Sequence, residues 1–339
     1  MPVCRRHATP AVSEKIPSRS ALIVAFATIY LVWGSTYLAI KVAVGTIPPF
    51  LMAGARFLVA GTMLYAWLWF TKKIRPTPRQ WFDNAIIGGL LLLGGNGLVS
   101  WASETTPSSI TTLIISIGPL FIVLADWLVL AVGGDATRGA KPTLATLGGL
   151  ALGFGGLALL VGPDLGSEAA TRLDPWRVGA ILFGCVTWSA GSIYTRYARQ
   201  AAEPMTAAAL QMVTGGFWLM LVSILCGEPA RFDAAAISAA SAGAWLYLVC
   251  IGSLVGFTTF VWLMKNCSPA RVSTYAYVNP VVAVFLGWLI LSEPVGPRML
   301  AASAVIITAV AIITAQKNRK QLAVPPRQAV ATTSPARDT

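Results

Sequence analysis

A chain of 339 residues that is 56% hydrophobic and only 11% charged departs far from the charged share of about 25% in ordinary globular proteins, which excludes a soluble globular fold. Its net charge of +12 would suit nucleic acid only if Lys and Arg gathered on one soluble face; here they fall in short gaps between apolar runs, so the surrounding medium is the lipid bilayer and nucleic acid is no partner. Cysteines at 4, 185, 226, 250 and 267 have no paired spacing and the single histidine is His7, which excludes a disulfide frame, a zinc site and a histidine-based centre.

Residues 1–20 form a polar tail holding Arg5, Arg6, Lys15 and Arg19. The run Ala21 to Ile40 then continues for 20 residues without a charge, the length of a transmembrane helix and too long for the apolar part of a signal peptide. The Arg5-Arg6 pair lacks the context of a twin-arginine signal. Nine further spans follow at about Pro49 to Phe70, Trp81 to Ala102, Ser108 to Val132, Pro142 to Val161, Val178 to Ala198, Thr206 to Cys226, Ala242 to Met264, Ala270 to Leu291 and Pro297 to Ala315. Residues 316–339, with Pro325-Pro326 and interspersed charges, read as a disordered tail.

Lys and Arg fix the orientation, since cytoplasmic loops carry the excess. With the N-terminus inside, nineteen lie in inner segments and five in outer ones, leaving Arg56 alone within a span. Both termini are thereby placed in the cytoplasm and the number of spans is even. The chain is also internally repeated. An offset of 155 carries Trp33 onto Trp188, Pro49 onto Pro204, Arg56 onto Gln211 and Gly61 onto Gly216, and an offset of 161 carries Trp101 onto Trp262, Pro119 onto Pro280 and Trp127 onto Trp288. Two units of five spans, 21–161 and 178–315, must therefore enter the bilayer opposite ways up. Inverted repeats of this kind place a shared site near the midplane between the halves and support alternating access.

Arg56 is the costliest residue in the chain, at ~2.5 to 3.5 kcal/mol for a charge at a helix centre. It reads either as a cation meeting an anionic group of the substrate or as a side chain reaching back to the interface. Asn96, in Gly94-Gly95-Asn96-Gly97, and Asn279, before Pro280, stand where glycine and proline loosen the backbone, which suits a binding site or an interhelical hydrogen bond. Trp33 and Trp188 lie mid-span and repeat by symmetry, so they line a cavity or pack the halves together, with Gln211 and Tyr275 as further candidate lining. Trp67, Trp69, Trp81 and Trp245 read as interface markers. Asp126 is the carboxylate well inside a span, a candidate for proton coupling or an interfacial residue, with Glu104 and Glu293 as weaker candidates that also read as loop or cap residues.

Nothing spells an enzyme: the chain has no Gly-Lys-Ser/Thr phosphate loop, no His-Glu-x-x-His and no Gly-x-Ser-x-Gly elbow, and no cofactor or metal is expected. Trp33-Gly34-Ser35-Thr36-Tyr37, Met52-Ala53-Gly54-Ala55-Arg56-Phe57, Gly95-Asn96-Gly97 and Ser273 to Pro280 (STYAYVNP) together make the sequence resemble the EamA branch of the drug/metabolite transporter superfamily. The resemblance implies an all-α permease of ten helices in two five-helix repeats. Such a protein sits in the inner membrane and moves a small metabolite or toxic compound through a central cavity, usually outward. Many family members carry a Glu after the fourth helix of each half; here Glu293 is kept, and its first-half counterpart is Val132. An uncoupled channel or lipid scramblase, or a membrane scaffold without transport, are the rival classes, and a homodimer is compatible with the sequence.

Overall fold

The computed structural model describes residues 18–131, 144–161, 173–195, 203–267 and 274–322, with 198 and 272 singly. The N-terminal tail with Arg5, Arg6 and His7, Val132, and the tail from 323 onward lie outside the described residues. Within them every regular element is helical. Besides the short turns Glu228–Arg231 and Ala234–Ala236, the helices are α1 (Arg19–Ala43), α2 (Pro49–Lys72), α3 (Pro78–Ala102), α4 (Ser108–Ile115), α5 (Gly118–Ala131), α6 (Leu144–Val161), α7 (Pro175–Tyr194), α8 (Pro204–Leu225), α9 (Ala239–Tyr247, continuing through Leu248–Phe257 and Thr258–Asn266), α10 (Tyr275–Leu291) and α11 (Pro297–Leu322). Five of them, α1, α2, α3, α8 and α9, are long and apolar enough to cross a membrane; the apolar stretches of α6, α10 and α11 are shorter.

Several helix ends fall outside the expected spans because local capping, rather than hydropathy, sets them. Ser18 accepts from the N–H of Ala21 and starts α1 early. Thr77 and Gln80 form a reciprocal capping box that starts α3 at Pro78, and Asp174 accepts from Trp176 N to start α7 at Pro175. The fourth span, expected as one helix, is two. Pro119 has no N–H to give and its ring crowds the carbonyl four residues back, so α4 ends at Ile115 and α5 begins at Gly118. The polar tail expected from residue 316 begins as helix to Leu322, through Gln, Lys and Arg residues that favour helix.

The third helix of each unit carries a π-helical stretch, Gly89–Gly97 in α3 and Leu248–Phe257 in α9, at positions that the 161 offset brings close to register. Such insertions shift the facing of all later side chains and occur often at functional sites.

Packing repeats the internal symmetry of the sequence. α2 lies along α8 and α6 along α11; α1 packs on α10 as α5 packs on α7. The first pair joins the two copies of the same helix. A Cβ on Gly61 would stand 2.7 Å from Val213 N, and one on Gly216 would stand 2.8 Å from Leu58 N. Contact thus moves down α2 as it moves up α8, so the two equivalent helices are antiparallel and their backbones touch. The symmetry-related glycines are required by this approach. Gly216→Leu is expected to abolish recovery of monodisperse folded protein on gel filtration, since no flexible side chain can give way, whereas Gly179→Leu, with open space around it, should be recovered at the normal yield.

Candidate functional site

Between the two units lies a partly enclosed cavity lined by residues of both, the concave and largely apolar kind of space in which small-molecule sites are found. α1, α2 and α3 contribute Trp33, Arg56 and Asn96; α7 and α10 contribute Trp188, Tyr275 and Asn279. Six of the seven residues singled out from the sequence as substrate contacts therefore stand around one space. Gln211 does not. It is buried in α8 and donates Nε2 to Asn84 Oδ1 at 3.0 Å, which satisfies a polar pair in the helix interface instead.

The Arg56 guanidinium is only 3% exposed, so it does not reach back to the interface. Nε donates to Ser253 Oγ at 2.8 Å, and the guanidinium carbon lies 4.5 Å from the centroid of the Phe57 ring. Ser253 belongs to the π stretch of α9, so the second unit positions the charge of the first. Nη1 has no hydrogen-bond partner among the described residues, and neither has Oδ1 of Asn279, itself 3% exposed. Of the four such buried side-chain atoms, Thr111 and Ser223 supply the other two and do not line the cavity. A buried polar group without a partner costs about 1 to 3 kcal/mol, more when charged, so these two atoms stand open to a partner from outside the described residues.

One end of the cavity is floored by aromatic rings. Trp33 and Trp188 meet edge to face with centroids 6.0 Å apart, and Trp33 also packs 4.8 Å from Phe260 and 4.9 Å from Tyr275. The symmetry-related tryptophans thus both line the space and join the halves. Beside them Tyr30 and Thr274 share a 2.6 Å hydrogen bond. Trp67 and Trp69 are half-exposed, as an interface position requires, while Trp245 donates to Met52 O at 3.2 Å.

At the opposite end the candidate carboxylates are engaged in contacts between elements. Glu104 accepts from Arg177 at 2.8 Å, Arg177 stacks 3.8 Å over the Trp101 ring, and Lys41 donates to the carbonyls of Ser103 and Glu104 at 2.9 and 3.0 Å. Glu293, only 8% exposed, accepts four bonds: from Ser108 N and Oγ at 2.7 and 2.9 Å, and from Ser109 N and Oγ at 3.0 and 2.5 Å. α4 begins after Pro107, which offers no capping side chain, so Glu293 of the second unit supplies the cap to the first, where the exposed N–H groups favour a carboxylate. Glu228, which the sequence did not single out, does the same for α2. It accepts from Phe50 N at 3.2 Å and Leu51 N at 2.6 Å after the uncapped Pro48. Asp126 lies one turn beyond the lining residue Ile122 on α5; its side chain lies outside those described.

Among the described residues no Asp, Glu or Lys lines the cavity. Among the described residues no cluster of His, Cys, Asp or Glu could hold a metal ion.

The profile of the EamA-like transporter family matches residues 20–162 and 176–315. The chain is 35% identical over 290 residues to the uncharacterized inner membrane transporter YedA of Escherichia coli (strain K12), a match covering 85% of this chain and 89% of that one. It is 23% identical over 311 residues to the uncharacterized transporter YvbV of Bacillus subtilis (strain 168), covering 90% and 95%. A solved crystal structure with 22% identity has a TM-score of 0.61 and covers 90% of this chain and 100% of that chain, which shows a common fold.

Proposed function

The chain is a member of the EamA-like transporter family, and from that premise we propose that it is a secondary transporter of the inner membrane. It exports a small molecule by alternating access, through ten spans with both termini in the cytoplasm. The observation that carries this reading is the cavity between the units, lined from both and holding the open valences of Arg56 and Asn279. A membrane scaffold gains nothing from a buried cation and an amide left unpaired around a space. The nineteen to five division of cationic residues supports the orientation. On it, the aromatic floor faces the cytoplasm, and the Glu104, Glu228 and Glu293 contacts lie at the outer face.

Contacts between the units at both ends favour a carrier over an open channel. On the cytoplasmic side, besides Tyr30 and Thr274, Lys72 forms an ion pair with Glu203 and Tyr194 donates to Asp83 at 3.1 Å. Opening each side in turn requires one set to part while the other holds. With no carboxylate among the described lining residues, exchange or downhill movement is favoured over proton coupling, which would fall to Asp126. In proteoliposomes, flux of a substrate is expected to saturate with concentration and to show no accumulation under an imposed pH gradient. Flux that never saturates would support the channel, and gradient-driven accumulation lost in Asp126→Asn would establish proton coupling in place of exchange.

A further inference from the structure

The charge balance of the cavity narrows the substrate. Among the described residues Arg56 contributes the one fixed charge on the lining, since the others are apolar, aromatic, thiol, hydroxyl or amide in character. A ligand with one negative charge neutralises the site. A cation is repelled; a zwitterion brings an ammonium with no carboxylate among the described lining residues to receive it; a dianion leaves one charge buried without a partner, and each of these is costly.

The second open valence adds a further requirement. Asn279 Oδ1 is an acceptor, so the ligand must present a donor, and a neutral O–H or N–H suffices because no carboxylate among the described lining residues stabilises a charged one. A hydroxyl serves either orientation of the amide, as it both donates and accepts. Arg56 lies on α2 and Asn279 on α10, one from each unit, so a ligand bonded to both bridges the moving parts. The rings of Trp33, Trp188, Tyr275 and Phe257 supply apolar faces for the rest of it.

We propose that the cavity takes an organic monoanion, a carboxylate on an aromatic or apolar body that also carries an uncharged hydroxyl or N–H group, with Arg56 Nη1 on the carboxylate and Asn279 on the donor. This rests on the transporter reading and adds the chemical class to it.

The test uses the full chain in lipid nanodiscs for binding and in proteoliposomes for counterflow. The probes share a phenyl ring on a chain of two or three carbons: 3-phenyllactate, 3-phenylpropionate, phenylalanine, phenethylamine and 3-phenylpropanol. Phenyllactate is expected to bind about tenfold tighter than phenylpropionate, as one hydrogen bond distinguishes them, and on the order of 100-fold tighter than phenylalanine, phenethylamine or phenylpropanol, which lack a net negative charge. Asn279→Ala should erase the difference between phenyllactate and phenylpropionate while keeping the preference for acids. Arg56→Gln should erase the preference for acids and retain binding of phenylpropanol. Tighter binding of phenylalanine or phenethylamine than of phenyllactate, or binding of none of the five, overturns the assignment. Acid-selective binding without saturable counterflow would leave the assignment standing and overturn the transporter reading.

Discussion

Arg56→Ala is expected to lower transport about 100-fold per folded molecule, the loss of one to two charge-assisted hydrogen bonds at ~1.5 to 3 kcal/mol each, while the folded protein keeps or gains thermal stability. The sign of the stability change is the informative part. Arg56 is buried, its Nε donates to Ser253, and its Nη1 has no partner among the described residues. Burying a charge that lacks full compensation is destabilising, and replacing it by an apolar group relieves that cost. On the proposed function, a residue held at such expense is held for ligand. Arg56→Lys should recover only part of the activity, because an ammonium keeps the charge and loses the planar fork that spans Ser253 and the ligand together. Transport and melting temperature falling in proportion would show that Arg56 is structural. The pair is read by initial flux in proteoliposomes and by the thermal unfolding of the same preparations.

Glu293→Ala carries the second largest expected effect. It strips the acceptor from the N–H groups of Ser108 and Ser109 and from both hydroxyls, at a helix start that has no cap of its own. A charge-assisted bond contributes ~1.5 to 3 kcal/mol, so the contact closing the outer face should weaken by about 3 kcal/mol or more. The carboxylate and α4 belong to different units, so the loss falls on the state in which the outer face is closed, and the population moves toward the outward-open state by about 100-fold. The expected readout is faster modification of the cavity residue Cys185 by an impermeant thiol reagent added outside. Glu293→Gln should show the same direction with a smaller change, since its amide oxygen still accepts one of the bonds. Unchanged access to Cys185 in both variants would mean that this contact does not close the outer face.

The parts of this architecture written as repetition were legible in the sequence. The offset that joins Trp33 to Trp188 and Gly61 to Gly216 pairs residues that the fold brings to the contacts between the units. Arg56 and Asn279 were visible as polar residues out of place in apolar runs. What sequence distance hides was not legible. Glu293 caps Ser108 across 185 positions, Glu228 caps Phe50 across 178, and Ser253 holds Arg56 across 197; none leaves a local pattern. The π stretches were signalled only by glycine, as Gly94-Gly95-x-Gly97 and as Gly252 and Gly256. Gln211 shows the limit of symmetry. It is the aligned counterpart of Arg56, yet a neutral amide is satisfied by Asn84 inside the helix interface and has no need of a cavity. The break before Pro119 was readable in principle from the proline, although the same residue type at Pro280 is carried inside α10.

Alternating access is the central claim, and Cys185 tests it most directly, because the thiol lines the cavity and is buried when both ends are closed. In a chain where the other cysteines are serine, an impermeant thiol reagent should modify Cys185 from either side of the membrane, in right-side-out and in inverted vesicles. Saturating ligand should protect it on both sides. A parallel chain keeping only Cys226, exposed beyond the end of α8, should react from outside alone and so fix the orientation. A pair of cysteines replacing Ser108 and Glu293, oxidised to a disulfide, should abolish modification of Cys185 from outside and preserve it from inside. Modification of Cys185 from one side only in the free protein, or from both sides with that disulfide in place, would contradict the account.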